Sequence, residues 1–249
     1  MKLLALVRLT FDPKEVAELT LASGAVQAGR ISLAINEGDI KGIQLIKPLK
    51  KPFDAISIGQ LDNTSRVHTF VRGADKIYEI GSILAGRYDE EDLASMLVSQ
   101  IKSMGGVQIV VCSPIEQDSG RGLLPGVLAA KLGFELIVGA KSVTEKDNAL
   151  IIEQVLEYGT QTIVAKGPVV LCPDESCELG DDPSDSFDLI EKLEKKESIK
   201  VNAEQLLGAS KSSVEVKLEA PAAVTAQPVV TYSAEALKKI LALVKPFSN

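Results

Sequence analysis

Through its first 140 residues the sequence alternates short apolar runs with longer amphipathic stretches, and few architectures accommodate that alternation. A run such as Leu3-Leu4-Ala5-Leu6-Val7 is too short for a core helix and lacks the polar alternation of a half-exposed strand. It reads as a strand buried on both faces. Strands are expected on this basis over residues 3–9, 55–59, 76–80, 107–112 and 134–139. The stretches between them carry helical spacing: Ile40, Ile43 and Ile46 within 39–49, a shorter segment at 63–72, and Leu93, Met96, Leu97 and Ile101 within 89–104. Asp89, Glu90, Glu91 and Asp92 give the last of these the acidic first turn that a helix dipole favours. Strands that alternate with helices pair in parallel and bury both sheet faces, so the fold class is α/β, with three αβα layers.

Leu123, Leu124, Val127, Leu128 and Leu132 fit one more helix, closed by Gly133; Pro125 is accommodated only if that helix begins near Leu124. Beyond Ala140 the pattern changes. Residues 149–157 and 161–164 flank Tyr158-Gly159-Thr160 as a β-hairpin, and a short strand follows at 168–172. Residues 174–188 then hold seven carboxylates and no basic residue, a solvated loop, before a charged helix to about residue 197. Residues 220–228 are rich in Pro and Ala, an extended arm, and Ser233 caps a final helix with Leu237, Ile240, Leu241 and Val244 on one stripe. That stripe has to lie on its own domain or on a second chain. The expected organisation is a nucleotide-binding α/β domain over 1–200, with the hairpin and acidic loop within 147–188, and a partner-contacting arm and helix over 201–249.

Charge narrows the partners. A net charge of −7 and a pI near 5.0 repel a phosphate backbone, so no nucleic acid is expected. With no Trp and 4% aromatic residues there is neither a membrane girdle nor a base-stacking platform. The opening apolar run is shorter than a signal peptide requires, and nothing approaches a membrane span, so a cytoplasmic protein is expected. Cys112, Cys172 and Cys177 form no CxxC and His68 is the single histidine, which leaves neither a disulfide framework nor a metal site. A Ser/His/Asp triad would have to use His68, placed mid-helix, so catalytic residues are not expected.

The segment Cys112-Ser113-Pro114-Ile115-Glu116-Gln117-Asp118-Ser119-Gly120-Arg121-Gly122 leads from a central strand to a helix, the edge at which open α/β sheets bind ligands. Glycines let backbone N–H groups approach an anion, and Ser119 and Arg121 carry donors. The segment fits a phosphate cradle, and it equally fits an ordinary polar loop. It matches neither the GxxxxGK[ST] nor the GxGxxG spacing.

Taken in order, several segments resemble the beta subunit of electron transfer flavoproteins. They are the first strand closed by Arg8, Ser32-Leu33-Ala34-Ile35-Asn36 before a helix, and Arg72-Gly73-Ala74-Asp75-Lys76-Ile77-Tyr78. Asp118-Ser119-Gly120 followed by Leu128-Ala129-Ala130-Lys131-Leu132-Gly133 is similar to that family's D-T-G-Q loop and the helix after it, with Arg121 in place of the usual Gln. The resemblance covers nearly the whole chain. It implies a flavodoxin-like or adenine-nucleotide-hydrolase-like αβα sheet with a β-hairpin extension and a C-terminal arm. It also implies AMP bound by Leu6, Asn36, Ile58, Asp118, Ser119, Gly120, Arg121, Gly122 and Leu123, and FAD held by or shared with an alpha subunit. Electrons would come from dehydrogenases or pass to a quinone oxidoreductase. The family's docking loop corresponds to the longer acidic segment here, where Phe187 or Leu189 would meet the redox partner. Two alternatives stay open: a bifurcating type with a second FAD in the AMP position and NADH as a ligand, and a stand-alone adenine-nucleotide-binding protein akin to universal stress proteins.

Overall fold

In the computed structural model, residues 1–11, 33–81, 89–117, 120–181 and 186–207 are described. The first strand, β1 (Lys2–Phe11), is the axis of the sheet. It pairs in parallel with β3 (Phe53–Ile58) on one side and β5 (Val107–Val111) on the other, while β2 (Leu33–Ile35) pairs antiparallel with its far end. Outward from β3 lie β4 (Ala74–Ile80) and β10 (Ile199–Val201); outward from β5 lie β9 (Val169–Pro173), β6 (Glu135–Lys146), β7 (Ala149–Leu156) and β8 (Gly159–Ala165). The order β10-β4-β3-β1-β5-β9-β6 is parallel throughout, and β7 and β8 add an antiparallel margin.

Helices cover both faces, as three layers require. On one side α1 (Glu37–Ile46), α2 (Asn63–Val71) and α5 (Phe187–Leu193) contribute Ile43, Leu45, Ile46, Phe70 and Leu193 to a core with Leu3, Ala5 and Val7 of β1. On the other, α3 (Glu90–Met104), α4 (Leu124–Leu132) and α6 (Ala203–Leu207) pack Met96, Leu97, Leu124, Leu128 and Ala203 against Leu4, Leu6 and Ile56. Alternate residues of one strand thus feed two cores, which is why the strands read as unbroken apolar runs. Cys112 and Cys172 are fully buried in the second core, and a hydrogen bond with Cys172, then burial, push the Cys112 thiol well up.

Local chemistry sets the helix limits. The Asp62 carboxylate caps α2 by accepting from the Ser65 N–H at 2.8 Å, and Asp89 caps α3 through the Asp92 N–H at 2.8 Å. Pro125 sits in the first turn of α4 and Gly133, at φ 70°, ends it, as its sequence predicts. The helix expected over 39–49 begins two residues sooner, at Glu37, and its last three residues tighten into a 3-10 turn, Lys47–Leu49, at Pro48.

The largest departure is β6, expected to stop at residue 139. Pairing with β9 shifts between Val138 and Ala140, where Gly139 has φ 77°, and the strand then runs on as the antiparallel partner of β7. The bulge lets one strand serve two partners, so the predicted hairpin is instead the outer part of a three-strand meander continuous with the main sheet. Three short elements escaped the sequence reading: β2, β10, which lies just beyond the helix expected to end near residue 197, and α6. Glu79 of β4, 1% exposed, accepts from Ser198 and Lys200 around β10 and so anchors that edge. The arm at 220–228 and the Ser233-capped helix lie outside the described residues.

A Cβ on Gly139 would stand 2.9 Å from the Val155 carbonyl oxygen and would force a left-handed backbone on an L residue. Gly139→Ala is therefore expected to cost about 1–3 kcal/mol. A urea midpoint unchanged from wild type would show that the bulge does not need glycine.

Candidate functional site

The C-terminal edge of the sheet is organised by one buried carboxylate. Asp39 lies in the first turn of α1 and its side chain is fully buried, at the crevice between the ends of β1 and β5. Its Oδ2 accepts from the Arg8 backbone N–H at 3.0 Å and Arg8 Nε at 3.1 Å, while Oδ1 accepts from Arg8 Nη2 at 3.3 Å and from the Ser113 N–H at 2.7 Å. Arg8, 5% exposed, also donates from Nη2 to the Ser113 carbonyl at 3.3 Å and from Nη1 to Glu116 Oε1 at 3.2 Å. Burial alone would depress the guanidinium, but the charge and hydrogen bonds of Asp39 outweigh it and raise the Arg8 pKa, so it stays cationic. The strand order reverses at β1 and β5, where such sheets bind ligands. Here the crevice holds the protein's own anion.

A second clamp runs through Asn36, which is fully buried just before α1. Its amide donates to the Ile115 carbonyl at 3.4 Å and accepts from the Gln117 N–H at 3.3 Å, and the Glu37 N–H donates to Gln117 Oε1 at 3.1 Å. Close packing seals the contact: a Cβ on Gly38 would lie 2.0 Å from Ser113 Oγ. Farther along the loop, the Glu116 N–H donates to the Arg121 carbonyl and the Gly120 N–H to the Glu116 carbonyl, both at 2.9 Å. The loop after β5 is thus fixed at its root and folded back on itself before α4 begins.

What remains at the surface is the glycine-bearing part. Gly120, Arg121, Gly122 and Leu123 are exposed, and Gly120 takes φ 67° with open space where a Cβ would stand. A Cβ on Gly122 would meet Ile115 Cγ2 at 3.1 Å and the Pro114 carbonyl at 3.2 Å, so a side chain there would require these neighbours to give by a few tenths of an ångström. Among the described residues the Gly122 and Leu123 N–H groups have no backbone acceptor. Glu90, the first residue of α3, has its Oε2 buried with no hydrogen-bond partner. Burial, then the charge of Glu116, raise its carboxyl pKa, and Arg121 and Arg8 offset this only in part.

On the opposite side of residues 113–117 lies a cavity of about 830 Å³, walled by Glu37, Gly38, Lys41, Val138, Pro173 and Asp174 among others. The acidic loop forms its outer rim and is tied to α1, since Lys41 Nζ donates to the Glu175 carbonyl at 2.6 Å and Gln44 to the Leu179 carbonyl at 3.0 Å. The Ser176 hydroxyl and N–H hold the Asp174 carboxyl below its usual range.

Of the residues expected to bind nucleotide, Asn36, Gly120, Arg121, Gly122 and Leu123 converge on this one loop, and Asp118 and Ser119 lie outside the described residues. Leu6, 1% exposed, belongs to the core beneath, and Ile58 is half-buried at the end of β3. The expected docking residues stand apart on α5, which packs against α2; Phe187 is 83% and Leu189 41% exposed. Sequence reasoning missed the roles of Asp39, Glu116 and Glu90. Asp39 alone carried a signal, as a carboxylate three residues after Asn36 at a helix start.

The loop after β5 falls inside a family match, whereas Arg8, Asn36 and Asp39, which clamp it, precede the matched span. Residues 40–183, more than half of the chain, match the electron transfer flavoprotein domain. The chain belongs to the electron transfer flavoprotein family. No curated protein matches it. The matched span of this electron transfer flavoprotein chain runs from α1 to the acidic loop and takes in residues 112–123 whole. Among the described residues no helix is long and apolar enough to cross a membrane.

Asp39→Asn would leave the Arg8 charge buried with only Glu116 against it and is expected to cost about 3–5 kcal/mol, read as a lowered denaturation midpoint. Glu90 has the opposite sign. Its folded pKa is raised, so its ionised form opposes folding above that pKa, and the penalty vanishes as pH falls through the folded value to the unfolded one. Glu90→Gln is accordingly expected to raise the melting temperature at pH 7 to 8 and to lose that advantage near pH 4. An equal effect at both pH values would refute the assignment.

Proposed function

We propose that this chain is the beta-type subunit of a heterodimeric electron transfer flavoprotein, that it binds AMP at the loop after β5, and that the redox-active FAD is held by or shared with an alpha subunit. The observation that carries this reading is the double clamp of Asp39 and Asn36. It commits two fully buried polar side chains to holding an exposed glycine loop ahead of a helix. Such rigidity suits a ligand site, because a loop already ordered loses little entropy when an anion docks.

The residues fit a nucleotide phosphate. The N–H groups of Gly122 and Leu123, the guanidinium of Arg121 and the start of α4 are donors of the kind that anions take at helix N-termini. The Asp39–Arg8 pair fills the crevice below, which keeps the phosphate at the loop surface. In this reading Leu6 and Ile58 flank the base. The chain supplies position and shape to electron transfer, without catalytic residues of its own. Phe187 and Leu189, exposed on α5, are the apolar contacts available to a dehydrogenase or quinone oxidoreductase partner, and the acidic loop beside them favours a basic docking face. A second FAD in the AMP position is the reading that the adjoining cavity favours, since an isoalloxazine needs space beyond the phosphate loop.

The test is to purify the chain alone and co-expressed with a flavoprotein alpha subunit, denature both samples, and identify the released nucleotides. AMP from the chain alone, with FAD only in the complex, is the expected result. FAD from both subunits would establish the second reading, and no nucleotide from either sample would refute both. Arg121→Glu is expected to lower AMP affinity at least about tenfold, which one lost charge-assisted contact accounts for.

A further inference from the structure

The cavity of about 830 Å³ beyond residues 113–117 joins an apolar wall to an acidic one. Pro114, Ile115, Val138 and Pro173 supply the first, and two of them are large side chains left open to solvent, Ile115 at 49% and Val138 at 44% exposure. Glu37, Asp174 and Glu175 supply the second against the ammonium of Lys41, three carboxylates and one base, a net charge of −2. Lys41 is engaged by the Glu175 carbonyl at 2.6 Å, and Lys141, which also acts on Asp174, is paired with Glu153 at 3.9 Å. Among the described residues the three carboxylates enter no ion pair within 4.0 Å. Asp174 Oδ2 lies 3.8 Å from the position of a Cβ on Gly139, which brings this carboxylate to the wall formed by the β6 bulge.

Both walls are built before anything enters. Ser113 Oγ donates to the Ile115 carbonyl at 2.6 Å and the Glu37 N–H to Gln117 Oε1 at 3.1 Å, which fixes the loop side. Lys41 and Gln44 fix the other side through the Glu175 and Leu179 carbonyls. A cavity already formed loses little entropy when it is filled. Its acidic rim continues into Glu178 and Asp181, which are exposed and, among the described residues, outside any ion pair. The negative field thus extends past the cavity along the outer loop, where a protein senses it and a small cation seated in the cavity does not. Arginine suits such a place, because its stem covers apolar surface while its planar, weakly hydrated guanidinium takes carboxylate oxygens in pairs. We infer that this cavity is a docking socket for an arginine set among apolar residues on an exposed segment of a partner protein. The guanidinium meets Asp174, Glu37 and Glu175, and its apolar neighbours cover Ile115 and Val138. None of Gly120 to Leu123 lines the cavity, and the inference holds whether or not that loop binds AMP.

The full chain, isotope-labelled, is titrated with acetyl-Gly-Leu-Arg-Leu-Gly-amide and with the same peptide carrying Gln for Arg, and the backbone amide signals are followed by NMR. The arginine peptide is expected to shift the signals of the lining residues and to bind at least about tenfold more tightly than the glutamine peptide, an advantage that salt diminishes. The triple variant Glu37→Gln, Asp174→Asn, Glu175→Gln keeps the shape of each side chain. It should weaken the arginine peptide about tenfold and leave the glutamine peptide within about twofold. The pair Glu178→Gln, Asp181→Asn, outside the cavity, should cost no more than about twofold. No binding of the arginine peptide, equal affinity for the two peptides, equal losses in the two sets of variants, or shifts confined to residues outside the cavity overturns the inference. So does FAD, titrated alone, if it shifts the lining signals and excludes the peptide, since the cavity then belongs to a flavin. AMP is titrated separately and read at Gly120 to Leu123, so a failure of the nucleotide reading shows there and leaves the result for the socket standing.

Discussion

The carboxylate of Asp39 is the point on which the C-terminal edge of this molecule turns. Four N–H donors, three from Arg8 and one from Ser113, converge on two oxygens that no water reaches. An unpaired charge at that depth would be too costly to keep, so the cluster holds together or the edge comes apart. Because Asp39 belongs to α1, Arg8 to β1 and Ser113 to the loop after β5, one residue fixes the mutual positions of a helix, the central strand and the site loop.

That constraint changes what the switch point does. In many open α/β sheets the crevice between diverging strands receives the ligand. Here it is filled from within, and what stays exposed at this edge is the stretch from Gly120 to Leu123 ahead of α4. Asn36 is spent in the same way: the residue that resembles a family nucleotide contact has its amide committed to Ile115 and Gln117. The other flank of the loop is shaped by the acidic segment after β9, which Lys41 and Gln44 hold along α1 by its backbone carbonyls. Asp174, Glu175 and Ser176 thereby line the rim of the cavity.

Glu90 and Asp39 make an instructive contrast. Both are acidic residues in the first turn of a helix, and both have a buried oxygen. Asp39 has every lone pair in use and strengthens the fold; Glu90 has a carboxyl raised by burial and by Glu116, with one oxygen unspent. Membership in the electron transfer flavoprotein family accounts for the sheet and the loop that the two share. The difference between them is whether the buried oxygens have found donors.

The sequence by itself determined the αβα layers, the central strands and the capped limits of α2, α3 and α4, because each rests on local periodicity or on a cap within four residues of its partner. It also marked the loop from Cys112 to Gly122 by its glycines. It did not reveal that β6 runs on past Gly139, since a strand that changes partners at a bulge loses its apolar signature when it leaves the core. Nor did it reveal β10, which exists because Glu79 is buried across from Lys200, 121 residues away. Only the tertiary structure decided the site: Arg8, Asp39 and Ser113 are spread over 105 residues, and burial turns three ordinary polar residues into one clamp. Whether a charge is paired, buried or left with an empty lone pair is a property of distance in space, and periodicity along the chain does not carry it.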